Sequence, residues 1–546
     1  MIKTYLSNLL KEALEKLGID NYTLNLDYPK NPENGDLSTN IAMTLAKPLK
    51  KSPKQIAQDI IDNLRYDKSL ISKIEIAGNG FINFTFSAVF YHKLLEQIAN
   101  YGQNFGKQEI GRNKKVIVEY VSANPTGLLH LGHGRNAIIG DTLANLYEWL
   151  GYDVTREYYF NNAGNQMRNL AKSIYARYRQ ILDNPDYPFP EDGYFGDYII
   201  QIAKDFIAKN GNKVLEATDE NLKVFQKFGE EWNFIGIKNT LNRLNINQNS
   251  YFNENSLYED GKIKALLEEL RQKDLTYEKD GAIWLKLTKL GLEDDRVAVK
   301  ATGEPTYRLP DIAYHREKFL RGFDEIVDIF GADHIATVPD VLATVKALGF
   351  DTKKVKVVIH QFVTLTENGQ QVKMSKRSGK SYTLDELIDE VGADVVRFFL
   401  LMRGVNTHLE FDLNLAKEQS DKNPVFYLQY AYARISSILQ KVKEQEINIS
   451  NFIDFSKLKE KVELDLIKKI SDFPKIIYDA CEKSEPHILS DYLKELATIF
   501  HNFYHHCRII GESEGIFVAR LQLAKITRIT IKNGLDILGI SAPEKM

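Results

Sequence analysis

Cysteine is nearly missing from this sequence of 546 residues: there are two, Cys481 and Cys507, and neither sits in a C-x-x-C pair. Two thiols cannot staple a chain of this length, which sets aside a disulfide framework and a cysteine-rich zinc site together. Long apolar runs are missing too. None reaches the roughly 18 to 20 residues that a membrane span needs. The opening "MIKTYLSNLLKEALEKLGID" spaces its Leu and Ile as an amphipathic helix does, unlike a signal peptide. A cytoplasmic protein without a membrane partner is expected. Charge of one sign is equally scarce. With a formal net charge of −3, any nucleic-acid partner must be met by basic residues gathered in one place. Internal repeats and low-complexity tracts do not occur.

What is present divides into three parts, as a chain too long for one core should. Residues 1–105 mix helical stretches with "KIEIAGNGFINFTFS", whose alternation around Gly-Asn-Gly predicts a hairpin. A small α+β domain is expected there. Residues 113–420 read as α/β. "KKVIVEYVS" is a β-branched run suited to a buried parallel strand, and "GRNAIIGDTLANLYEWLGYDVTREYYF" supplies a helix closing at Gly151 and a second strand. "EIVDIFGAD" and "KVKVVIHQFV" add strands after a charged helical stretch. A Rossmann-like parallel sheet, interrupted by an insertion at about 165–290, is predicted. Residues 423–546 are almost wholly helical and form a separate all-α domain.

The first strand runs into "NPTGLLHLGHGRN", with His130 and His133 around Gly132. Two histidines at this spacing suit a metal, but no further ligands accompany them and the H-E-x-x-H glutamate is missing. Alone, they would merely decorate a helix start. Phosphate is the sharper reading. A strand that enters a helix through a glycine-bearing loop aims free N–H groups and a positive dipole end at one spot. Gly132 lets a nucleotide approach, and imidazole N–H groups bind charge as it develops on an attacked phosphate.

A second stretch, "ENGQQVKMSKRSGKSYT", crowds Lys373, Lys376, Arg377 and Lys380 between Gly369 and Gly379. It is no Walker A loop, because Met374 stands where that motif needs glycine. HLGH followed some 240 residues later by KMSK (from His130 to Lys373) resembles the class I aminoacyl-tRNA synthetases. "TYRLPDIAYH", "FGADHIATVP", "SYTLDELIDEVGADVVRFFLLMR" and "NGLDILGISAPEKM" narrow the likeness to the arginyl-tRNA synthetases, over nearly the whole chain.

The resemblance implies that arginine and ATP give arginyl-adenylate and pyrophosphate, and that arginine then passes to the 3′ end of tRNA(Arg). It implies ATP contacts from His130, Gly132, His133, Lys373, Met374, Ser375 and Lys376, with both histidines and both lysines catalytic. Arginine is implied to lie against Glu119, Asn124, Tyr307 and Asp311, with Ser122 beside them and Asp333 and His334 nearby. Gly127 stands where some eukaryotic members carry a further lysine, so that contact is not carried over. Phe81 and Asn83, and Tyr430 and Arg434, are the implied tRNA contacts. Magnesium with ATP and a monomeric state are also implied. The pocket chemistry agrees, since a planar guanidinium suits paired carboxylates such as Glu119 and Asp311. "HNFYHHCRII" gathers His501, His505, His506 and Cys507, but the aromatic residues between them suggest a packed helix with no metal. Two rivals are a small-molecule nucleotidyltransferase, which would not need the C-terminal helices, and an inactive RNA-binding relative, which would have lost a signature.

Overall fold

The computed structural model describes residues 2–29, 31–162, 164–211, 213, 215–372, 382–446 and 452–546. In the first 105 residues the alternating stretch forms its hairpin. β2 (Ile71–Ala77) and β3 (Phe81–Phe86) pair around Gly78 and Gly80, both at positive φ, and β1 (Leu37–Thr39) adds to the other side of β3. Ile82, Phe84 and Phe86 turn inward and share a core with Leu6 and Leu10 of the helix Ile2–Lys16.

The α/β part is built on β4 (Lys115–Glu119), β5 (Asp153–Phe160) and β6 (Ser250–Asn253). A separate antiparallel sheet of β7 (Thr276–Lys279), β8 (Ala282–Leu285) and β9 (Arg296–Val299) comes next, and the chain then returns through β10 (Glu325–Gly331) and β11 (Val355–His360). The five main strands lie parallel in the order β11–β10–β4–β5–β6. The order reverses between β4 and β10, and the crevice at the carboxyl ends of those two strands is where such sheets take ligands.

The excursion expected as one insertion at about 165–290 is in fact two. The helices Asn165–Leu182, Asp197–Asn210 and Asp219–Arg243 close around their own core of Met167, Ile174, Phe206 and Phe225. The chain then comes back for β6 before leaving again. A four-residue edge strand, "SYFN", is too short for its alternation to stand out from a loop.

The helix Leu131–Trp149 comes after β4 and is buried on almost every side, as a helix lying between a sheet and other helices must be. A Cβ on Gly140 would fall 2.3 Å from the Tyr120 Cβ, so glycine is what lets this helix lie directly on the end of β4. A third small sheet, β13–β12–β14, joins β12 (Val363–Glu367), β13 (Gln370–Gln371) and β14 (Leu409–Asp412).

The C-terminal part is all helix, including Pro424–Glu444, His487–His506 and Glu514–Leu538. Its last helix ends against two helices of the α/β part, Leu131–Trp149 and Ala393–Leu401. The carbonyls of Ile537 and Leu538 accept from Asn145 (2.9 Å) and Arg397 (2.6 Å), and Arg397 also donates to Asp141 (2.6 Å) and to the Leu244 carbonyl (2.7 Å). A buried cation at a helix C-terminus satisfies carbonyls that have no partner within the helix. Among the described residues no helix is long and apolar enough to cross a membrane.

Candidate active site

His130 is the N-cap of the helix Leu131–Trp149. Its Nδ1 accepts the Gly132 N–H (3.1 Å), and His133 Nδ1 accepts the His130 N–H (3.3 Å). With both Nδ1 atoms accepting, each ring carries its proton on Nε2. The rings stack with centroids 3.7 Å apart. A Cβ on Gly132 would sit 3.1 Å from the His130 ring, so glycine also makes room for the histidine itself. Burial, followed by the neighbouring His130 and His360, pulls His133 down to about 3. At neutral pH it is therefore an uncharged donor at a positive helix end, which favours an anion.

Lys373, Met374, Ser375 and Lys376 lie outside the described residues. The chain on either side of them is placed. Val372 donates its N–H to the Leu365 carbonyl, Thr383 forms an isolated bridge with His130, and Leu384 gives its N–H to the Leu129 carbonyl (2.8 Å). The stretch carrying KMSK thus ends against HLGH.

On the β5–β6 side of the crevice the structure gathers carboxylates. Asp311 stands in the first turn of the helix Arg308–Leu320, and its carboxylate accepts no hydrogen bond among the described residues. Burial pushes this carboxyl up to about 7; Glu254 and Glu119 add to the rise, while His315 and Lys318 oppose it. Glu254 lies just past β6 and is 6% exposed. One of its oxygens accepts from the Tyr159 hydroxyl (2.8 Å), and burial raises its carboxyl as well. Tyr258 sits by the same pair, and burial together with their charges lifts its hydroxyl to about 12. Among the described residues neither carboxylate is ion-paired, although Glu254 raises Asp311 and both act on Tyr258.

Glu119, expected to share the guanidinium with Asp311, is already engaged. Oε1 accepts from Ser122 Oγ (2.9 Å), and Oε2 accepts from Lys318 Nζ. Lys318 is fully buried and also donates to Asp328 (2.6 Å), whose other oxygen contacts His315 Nε2 (3.0 Å). Burial would discharge this lysine, but Asp328 and Glu119 outweigh it and raise its pKa. Lys318→Met would strand two buried carboxylates. We expect the α/β part of the variant to lose about 3–5 kcal/mol of stability at pH 7. In the parent, Asp328 is strongly lowered and supports the fold only while ionised; in the variant, protonation relieves the stranded charges. The gap in thermal unfolding should therefore narrow between pH 7 and pH 5, and an unchanged gap would mean that lost packing, not charge, is responsible.

The remaining expected residues are spread around this centre. Asn124 is exposed on the loop after β4. Tyr307 is 77% exposed, and its carbonyl accepts the Asp311 N–H. Asp333 and His334 form a short turn at the end of β10, with the His334 ring stacked on Phe330. In the N-terminal sheet Phe81 is 40% exposed but Asn83 only 5%, so Phe81 is the surface residue of that pair. On the C-terminal helices the Arg434 guanidinium lies over Tyr430 (4.5 Å) and Tyr504 (4.8 Å), an exposed stack suited to a base. His501 packs against Tyr427 and Tyr430, as the aromatic spacing suggests. Sequence reasoning missed Glu254, Tyr159 and Lys318.

Three family models cover the chain: the arginyl tRNA synthetase N terminal domain over residues 4–86, the class I (R) tRNA synthetase catalytic domain over 94–399, and the DALR anticodon binding domain over 428–546. The arginine–tRNA ligase of Salinibacter ruber is 47% identical, with 100% of both chains covered. That of Bacillus licheniformis is 44% identical, with 100% of this chain and 99% of the relative covered. The solved arginyl-tRNA synthetase of Thermus thermophilus matches with a TM-score of 0.79 at 23% identity over 100% of both chains, a likeness of fold.

Proposed function

Since the chain belongs to the arginyl-tRNA synthetase family, we propose that Asp311 and Glu254 seat the guanidinium of arginine while His130 and His133 meet the phosphates of ATP. The activity is that of an arginine–tRNA ligase: arginine is activated by ATP and then joined to tRNA(Arg) for protein synthesis. The observation that carries the seating is a half-buried Asp311 and a buried Glu254, neither of them ion-paired among the described residues.

In the first step a carboxylate oxygen of arginine bonds to the α-phosphorus and the bond from that phosphorus to the bridging oxygen breaks, releasing pyrophosphate. The nucleophile is already an anion, so no general base is needed; the protein supplies position and charge. The Nε2–H groups of His130 and His133 donate to phosphate oxygens, and Lys373 and Lys376 take up charge on the leaving pyrophosphate. ATP enters as its magnesium complex, the ion offsetting phosphate charge. In the second step the terminal ribose hydroxyl of tRNA attacks the arginyl carbonyl and AMP leaves. Phe81 and the Tyr430–Arg434 stack contact tRNA at two places far from the chemistry. With catalytic and RNA-binding parts on one chain, the enzyme works as a cytoplasmic monomer.

Aminoacylation of total tRNA with each amino acid in turn tests this reading. Arginine alone should be attached, to one family of acceptor tRNAs, and preferred charging of any other amino acid would overturn it.

A further inference from the structure

At the crevice the ladder between β4 and β10 is broken, and a side chain stands in the break. The strands pair in register as far as Glu119 opposite Asp328. Tyr120 gives its N–H to the Glu157 carbonyl of β5, so in a parallel ladder the next N–H, that of Val121, turns toward β10 and would meet the Ile329 carbonyl. Instead Asn136 Oδ1 accepts the Val121 N–H at 2.6 Å, and Asn136 Nδ2 donates to the Ile329 carbonyl at 2.9 Å. The carboxamide serves as an inserted peptide group, satisfying both strands while keeping them apart. Its Nδ2 also lies 3.4 Å from His360 Nε2 at the end of β11, so one buried side chain reaches three strand ends.

The backbone just past this break is unusual. Val121 has φ 69° and Ser122 φ 41°, a left-handed turn that is costly for any L-residue and worst for a β-branched one. A residue persists there only when its surroundings hold it, and the Asn136 acceptor on the Val121 N–H is such a hold. The turn sets Ser122, whose hydroxyl donates to Glu119 Oε1 (2.9 Å) and accepts the Tyr159 N–H (3.1 Å). It also launches residues 123–130, which end at the N-cap histidine.

We propose that Asn136 is a positioning residue of the arginine and ATP site, a wedge that opens the sheet at its switch point and fixes the left-handed turn from Val121 to Ser122. The inference rests on the reading that this crevice holds arginine and ATP, and it adds a residue that touches neither. A purely structural staple would cost folded enzyme without altering the enzyme that remains.

The test is arginine KM, with kcat counted per active site by titration of bound adenylate, for Asn136→Leu and Asn136→Asp. Leucine has a similar shape and makes no hydrogen bond; aspartate keeps the acceptor for Val121. We expect arginine KM to rise about tenfold or more in the leucine variant, the scale of one buried donor left unpaired, and most of that rise to be recovered in the aspartate variant. If the leucine variant does not fold, Asn136→Ala replaces it under the same criterion. Arginine KM within twofold of the parent, or an aspartate variant as impaired as the leucine one, would overturn the wedge. A parent that does not charge arginine would instead overturn the reading beneath it.

Discussion

Glu254→Gln and Asp311→Asn should each raise the arginine KM by about 10²-fold, while ATP binding changes little. Arginine is a fixed cation with a planar fork of donors. On the proposed seating it meets the half-buried Asp311 and the buried Glu254, and removing either charge leaves the guanidinium with half its partners. Citrulline, of equal length with a neutral urea end, gains nothing from the second carboxylate, so each variant should also narrow the preference for arginine over citrulline. Lysine fills the seat with a point charge of the wrong geometry. A site that reads polar groups this way rejects analogues without a second sieve, so the helical excursion at 165–243 need not be an editing domain. Steady-state charging kinetics with the three amino acids checks this. A Glu254→Gln enzyme with parental arginine KM and unchanged citrulline discrimination would remove Glu254 from the seat.

The second large effect belongs to Lys376. Lys376→Ala should slow adenylate formation by roughly two to three orders of magnitude, the scale for losing one transition-state charge contact, while arginine affinity barely moves. The chain leaving this stretch pairs Thr383 with His130 and Leu384 with Leu129. On the proposed reading, the lysine acts on the phosphates that His130 and His133 meet. The pyrophosphate gains charge only as its bond to the α-phosphorus breaks, so the loss should fall on the rate and spare substrate binding. A near-parental single-turnover rate would exclude the lysine from the mechanism.

The sequence makes some of this legible and hides the rest for physical reasons. HLGH is readable because its geometry is local: an N-cap histidine and a glycine beside it. The parallel strands are readable because burial on both faces demands β-branched runs such as "KKVIVEYVS". Glu254 is not. It sits after an edge strand of four residues and stands in "NENSLYEDG" among Glu259 and Asp260, which look just as acidic. Lys318 is hidden the same way. "HREKF" reads as a solvated helix face, yet tertiary packing buries Lys318 completely and leaves Arg316 and Glu317 partly open. Glu119 reads as a carboxylate at a strand end, but the cation it meets is a lysine 199 residues away.

The guanidinium seat is tested most directly by counting protons as arginine binds. Burial raises Asp311 to about 7 in the open pocket, so below that pH the carboxyl is mostly protonated. A guanidinium can bind only its ionised form well. Arginine must then displace the proton, and its affinity should fall about tenfold per pH unit below pH 7. Calorimetric titration at pH 6, in two buffers of different ionisation enthalpy, should show about one proton released per arginine bound. The release should fade by about pH 9, and Asp311→Asn should abolish it. Arginine binding with no proton release at pH 6, and equal affinity at pH 6 and pH 8, would contradict the seat.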